Sequence, residues 1–195
     1  MTGILWSAIH GQGAFVRSVK PTSIAGVSET PRRLPLKDPL PPLNGLRGTL
    51  VAVEWGSDRD GPNWDARVDV FAKLGGSKKT GGGMVHGIRS SGSAALNFCA
   101  VACGDLDAAW EAGAWGWDVA AAWAILEEAG GRVVDVNPRP NTNTWEERAP
   151  SVDGRLYFAI RAAAEHEQRQ VVDELWSLGA KRFQYKYSDV GAPIS

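Results

Sequence analysis

Residues 92–131, GSAALNFCAVACGDLDAAWEAGAWGWDVAAAWAILEEAGG, decide the reading of this chain. Residues 92–103 form a nearly all-apolar helical run, opened by Ser91 or Ser93 and closed by Gly104. Residues 118–129 put Val119, Ala122, Trp123 and Leu126 on one helical face and end at Gly130-Gly131. DAAWE (107–111) lies between them as a short strand. A helix start offers free N–H groups and the positive end of a dipole, so the Gly92-Ser93-Ala94 turn is a candidate oxyanion site. Asp118, at the mouth of the second helix, and Glu111, seven residues upstream, are candidate partners of a hard cation. Plainer readings stand beside these: Asp118 as an N-cap, Glu111 as a solvated strand end, and Gly92-Ser93-Ala94 as an ordinary small-residue start.

Outward from this stretch, strand and helix alternate. TLVAVEW (49–55), MVHGIR (84–89), RVVDV (132–136) and RLYFAIRA (155–162) read as strands. Residues 63–74 carry Trp64, Val68 and Phe71 at helical spacing, with Asn63 as cap and Gly75-Gly76 as stop. Residues 165–178 form an amphipathic helix with Val171, Val172, Leu175 and Trp176 inward. This order predicts an α/β domain over 49–179, a mainly parallel sheet with helices on both faces. Ahead of it, residues 4–17 read as a hairpin around Gly11-Gln12-Gly13. An isolated hairpin needs a sheet to join, so 1–20 is expected to be the remnant of another domain. Residues 18–48 hold six of the eleven prolines, and 21–48 is assigned as a connection with little regular structure. Residues 180–195 look like a polar tail.

The bulk numbers bound the class. The 195 residues suffice for one ordinary domain with a core, or one domain plus part of another. With 21 basic and 22 acidic residues the net charge is −1, and no Lys/Arg run is interleaved with aromatics, so no nucleic-acid partner is expected. Hydrophobic content of 44% fits a globular chain, and the apolar runs fall short of a membrane span. Residues 1–15 have neither the basic start nor the apolar stretch of a secretory leader, which points to a cytoplasmic protein. Cys99 and Cys103 share a helical face and read as small core residues. Nine tryptophans, four of them between 110 and 123, leave two readings open: core and loop anchors, or a carbohydrate-stacking surface. His10, His86 and His166 are scattered, without ligand spacing or a nucleophile partner, so neither a zinc site nor a Ser-His-acid triad is supported.

At Trp117-Asp118 with Ala120-Ala121, followed by Glu128-Ala129-Gly130-Gly131, the chain resembles the C-terminal signature of the inositol monophosphatase family. HGIRSSGSAALNFCAVACGDLDAAWE (86–111) is similar to the segment upstream of that signature, and GQGAFVR (11–17) resembles the G-x-G-A-F hairpin of the family's first domain. VEWGSDRDGPNWD (53–65) is most similar to filamentous-fungal members, some tied to quinate utilisation. The resemblance covers most of residues 4–178.

It implies a layered α-β-α-β-α fold, an N-terminal antiparallel α+β domain, and Mg²⁺-dependent hydrolysis of a phosphate monoester, typically of myo-inositol. Sugar bisphosphates and sulfated nucleotides are the substrates of relatives with similar motifs. By the same resemblance Asp118 is a Mg²⁺ ligand, Glu111 hydrogen-bonds inositol hydroxyls, and Gly92, Ser93 and Ala94 touch substrate. The ions would polarise the phosphate, help generate hydroxide and stabilise the leaving alkoxide. A homodimer is the family's common assembly. The family's other metal ligands lie in a Glu-Glu element and a D-P-x-D-G-T motif upstream of the hairpin, which this sequence does not carry there. Asp58-Arg59-Asp60-Gly61 comes too late and has the wrong neighbours to replace them. No complete catalytic set is therefore expected, and the isolated chain is expected to bind Mg²⁺ weakly with little or no turnover. The alternative is a non-catalytic interaction module that kept the fold.

Overall fold

Among the described residues two sheets and four helices stack in alternating layers, and side-chain alternation along the strands sets which layer meets which. The computed structural model describes residues 3–19, 30–139, 141 and 144–185. Strands β1 (Gly3–Ile9), β2 (Gly13–Val19) and β3 (Arg32–Arg33) form a small antiparallel sheet in the order β1-β2-β3. Strands β4 (Leu50–Val53), β5 (Gly87–Arg89), β6 (Ala108–Ala112), β7 (Arg132–Val134) and β8 (Leu156–Ile160) form the large sheet in the order β5-β4-β6-β8-β7. The helices are α1 (Gly61–Gly75), α2 (Ala94–Cys103), α3 (Gly116–Glu128), α4 (Trp145–Arg148) and α5 (Glu165–Ser177).

In the large sheet Val51, Val53, Trp110, Phe158 and Ile160 point to one face, where α1 and α5 bring Ala66, Val70, Leu74, Val171, Val172 and Leu175. The intervening residues point to the other face, where α2 and α3 pack. There Ala52 pairs with Ala109 and Ala109 with Ala159, a row of methyl groups across three strands. Small side chains in register let α2 and α3 approach the sheet closely. The small sheet covers the far side of these helices through Trp6, Ala14 and Val16. The order is thus small sheet, α2/α3, large sheet, α1/α5.

The α/β class and helices on both faces hold, but the sheet is mixed. β5, β4 and β6 are parallel, whereas β8 runs antiparallel to both β6 and β7. Periodicity reports which face a residue takes and says nothing of strand direction. Several local readings are corrected. Helix α1 begins at Gly61 behind Asp60, and Asn63 lies inside it, accepting a bond from the Gln184 amide at 2.8 Å. The 84–89 strand contracts to β5, because the amides of Met84, Val85 and His86 bond Gly76, Leu74 and Thr49 carbonyls. The Pro-rich stretch, where described, has only Arg32–Arg33 as strand, paired with β2, in keeping with a connection of little regular structure. The start of the polar stretch after 179 is packed: Phe183 is buried against the α1/α5 face, stacked on Tyr185.

At the end of α3 two glycines shape the turn into β7 and one acid reaches the hairpin. Gly130 stops α3 at φ 88, and a Cβ on Gly131 would sit 2.7 Å from the Ile160 carbonyl oxygen, so only glycine lets the chain turn into β7 there. The preceding Glu128 accepts bonds from the Gly11 and Gly13 amides at 2.8 and 2.9 Å. Those two bonds hold its carboxyl below the ordinary range. Glu128→Ala is therefore expected to speed hydrogen exchange at Gly11 and Gly13 while leaving exchange in β6 and β8 unchanged. The same local release is expected in the unmutated chain as pH falls through the carboxyl's lowered pKa.

Candidate functional site

The three parallel strands β5, β4 and β6 end at one rim, and their helices leave to opposite faces of the sheet: α1 after β4 to one, α2 after β5 and α3 after β6 to the other. Crevices form at such divergences. An open cavity of about 830 Å³ lies there, bounded by Glu54 and Trp55 after β4, Gly92, Ser93 and Ala94 after β5, Glu111 on β6, and Asp118 on α3.

The Gly92 turn is built from the neighbouring strand. Gly92 has φ 80, which lets the chain bend into α2, and Ser93 caps the helix by accepting from the Leu96 amide. Glu54, buried at the end of β4, accepts from the Ser91 and Gly92 amides at 2.7 and 3.0 Å, from Ser90 Oγ at 2.9 Å and from Asn97 Nδ2 at 2.7 Å. Burial alone would raise its carboxyl; the bonds from Asn97, Ser91, Ser90 and Gly92 outweigh that and leave it below the ordinary value. Glu54 is thus an ionised brace that fixes the turn.

Glu111 is in the opposite condition. It is 6% exposed, on the α2/α3 face of β6, and is no solvated strand end. Burial, with the charges of Glu54 and Asp118 and against the pull of Arg67, raises its carboxyl to about 7. A protonated carboxyl donates as well as accepts, which suits it to a hydroxyl-bearing ligand. Asp118 is exposed at the rim. It is the third residue of α3, not its cap: the carboxylate accepts from the Trp115 amide at 2.9 Å, one half of a capping box.

Sequence reasoning did not find two further groups behind the cavity. Arg67 is 1% exposed; its Nη2 donates to the Ala112 carbonyl at 2.7 Å and to Tyr185 Oη at 3.4 Å, and its Nη1 has no partner among the described residues. A Cβ on Gly56 would lie 2.7 Å from Nη2, so that glycine makes room for the guanidinium. Tyr185, in turn, donates to Asp58 at 2.6 Å. Glu54 and Arg67 carried only ordinary strand and helix signals in the sequence; the glycine after Trp55 was the one hint of a close approach.

Mg²⁺ takes about six oxygen ligands in octahedral geometry. Here Asp118 fits as one ligand. Glu54 is committed to its four donors, and Glu111 keeps a proton up to about pH 7. Among the described residues no group of three or more His, Cys, Asp or Glu side chains converges. The cavity's own residues do not complete a Mg²⁺ shell.

The layers and the crevice define a known class. Mycobacterium tuberculosis SuhB shares this fold, with a TM-score of 0.59 at 22% identity over 92% of this chain and 56% of that one. The sequence matches the inositol monophosphatase family over residues 1–179, and the chain belongs to that family. It is 36% identical to "Quinic acid degradation cluster protein x" of Neurospora crassa, across 90% of this chain and 52% of that protein. It is 40% identical to "Protein qutG" of Emericella nidulans, across 90% and 54%, and 42% identical to "Inositol monophosphatase 2" of Saccharomyces cerevisiae, across 72% and 46%. The chain spans about half the length of these relatives. No helix among the described residues is long and apolar enough to cross a membrane.

Proposed function

We propose that this chain supplies the substrate-cradling side of a Mg²⁺-dependent phosphate monoesterase of the inositol monophosphatase type, and that alone it does not turn over. Its ligand is a small phosphate monoester of the myo-inositol class. Ser93 and Ala94 meet the phosphate or ring at α2's open N-terminus, Gly92 allows close approach through its lack of a side chain, Glu111 bonds ring hydroxyls, and Asp118 gives one oxygen to Mg²⁺. Residues 1–20 act as the end of a first domain, 21–48 as connection and 49–179 as the second domain; the protein works in the cytoplasm as a homodimer. One observation carries this reading: a braced helix start, a buried acid whose carboxyl is raised to about 7 and an exposed acid all line one cavity.

The test is Mg²⁺-dependent phosphate release from inositol monophosphate by the purified chain, beside Mg²⁺ titrations with and without that ligand. The expected result is negligible release, with weak Mg²⁺ binding that strengthens when the ester is present and weakens in Asp118→Asn. Robust turnover abolished by Asp118→Asn would overturn the claim of incompetence. Absence of coupled binding would favour an interaction module that kept the fold.

A further inference from the structure

The sequence carries Trp117 beside Asp118, and the fold gives that ring a conspicuous position. It is 66% exposed although it lines the cavity. Exposing an indole forgoes the free energy of burying it, so the face left open needs a reason. Trp117 also has a ring at its back. It stacks on Trp115, with ring centroids 5.3 Å apart and planes 15° from parallel. Trp115 is backed by the Arg155 guanidinium, 3.7 Å from its ring centroid. Arg155 is buried, adopts φ 60, and donates through Nη2 and Nε to the Gly113 carbonyl at 2.6 and 3.2 Å. A left-handed backbone at a non-glycine residue costs energy and persists where the surroundings enforce it. The strained arginine thus fixes both the Gly113 rim and the foot of an ordered stack, Arg155–Trp115–Trp117. Among the described residues Trp115 is the only ring that Trp117 meets, and with 66% of its surface in water the indole keeps an open face.

We propose that this open face is a stacking platform for the ring of the substrate alcohol, making Trp117 a specificity-determining residue that selects cyclic over acyclic phosphate esters. The inference rests on the phosphate-monoester reading above. A six-membered ring presents an apolar face of C–H bonds that covers an indole, while its hydroxyls remain free for Glu111. An acyclic ester cannot present such a face without losing rotamer freedom. Trp55, the other exposed tryptophan of the cavity, is already stacked on both Trp64 and Phe71, at 5.5 and 4.6 Å, and is therefore committed within the protein.

The experiment measures binding of three probes to the full 195-residue chain with Mg²⁺ present: myo-inositol 1-phosphate, glycerol 2-phosphate and inorganic phosphate. Saturation-transfer NMR reads which ligand protons touch the protein. The expected preference for the cyclic ester over the acyclic one is roughly tenfold, the size of one good ring contact. Trp117→Ala is expected to collapse that ratio toward one and erase saturation transfer to the ring C–H protons, with inorganic phosphate affinity within about twofold of the original. Trp117→Phe is expected to restore most of the ratio. Binding of all three probes with an unchanged ratio in Trp117→Ala would overturn this inference and leave the phosphate site standing. Parallel loss of all three probes, restored in parallel by Trp117→Phe, would assign the ring to holding the site together and would also overturn it. Failure of the unmutated chain to bind any probe would bring down the phosphate reading, and this inference with it. Loss of a dimer on sedimentation of Trp117→Ala, with ligand ratios unchanged, would show that the face is covered by a second copy.

Discussion

Asp107→Ala is expected to destabilise the folded chain by about 3 kcal/mol, a large share of the ~5–15 kcal/mol that holds an ordinary domain together. Asp107 sits just before β6. Its Oδ1 accepts from Arg161 Nε at 2.6 Å and its Oδ2 from the Leu50 amide at 2.8 Å, so one carboxylate ties the starts of β4 and β6 to the end of β8. Arg161 is 3% exposed, and its Nη2 and Nη1 donate to the Pro41 and Ala162 carbonyls at 2.6 and 2.9 Å. Removing the carboxylate strands a buried cation and an amide together, and that desolvation dominates the loss. The lower end of the range applies because the Asp107 side chain keeps 23% of its surface in water. Denaturant unfolding should show a lower midpoint, and thermal unfolding a fall of roughly 6–12 °C for a chain of this length. In the double variant Asp107→Leu with Arg161→Met, neither charge remains to be stranded. Its cost should therefore be smaller than that of Asp107→Ala, the signature of a pair whose importance lies in mutual neutralisation.

That interaction marks the boundary of what the sequence discloses. Helices α2 and α3 were legible because their signals are local: a serine before each apolar run or a glycine after it, and apolar residues at helical spacing. Asp118, Glu111 and the Gly92 turn stood out for the same reason, since strand ends and helix starts can be read within ten residues. Glu54, Arg67, Asp107 and Arg161 were not legible, because each takes its meaning from a partner 36 to 54 residues away or from a backbone carbonyl with no sequence signature. The strand direction of β8 is hidden for a related reason, as it depends on how the long connection from β7 closes. Phe183 and Tyr185 did leave a trace: aromatic residues two apart, as in a strand, within an otherwise polar stretch. Read as a tail, that stretch hid one wall of the cavity.

Glu111→Gln is expected to raise stability at pH 8 by about 3 kcal/mol and to remove a pH dependence that the unmutated chain shows. The folded carboxyl is raised to about 7 from an ordinary 4.5, because burial and the negative charges of Glu54 and Asp118 oppose ionisation more strongly than Arg67 favours it. Between those two values the folded state holds a proton that the unfolded chain releases. Glu111 is therefore most favourable below about pH 4.5, and its contribution is lost as pH rises toward 7. The glutamine amide keeps the shape, stays neutral at every pH and needs no proton. The two proteins should be nearly equal near pH 4.5 and diverge by roughly 6–12 °C in melting temperature at pH 8, measured in chelator to exclude bound cations. Equal melting temperatures across the whole range would mean that Glu111 ionises freely, and the cavity would then hold three negative carboxylates around the Gly92 turn. A phosphate ester would meet that arrangement only with repulsion, so the same melting curves test whether the cavity's charge suits the ligand assigned to it.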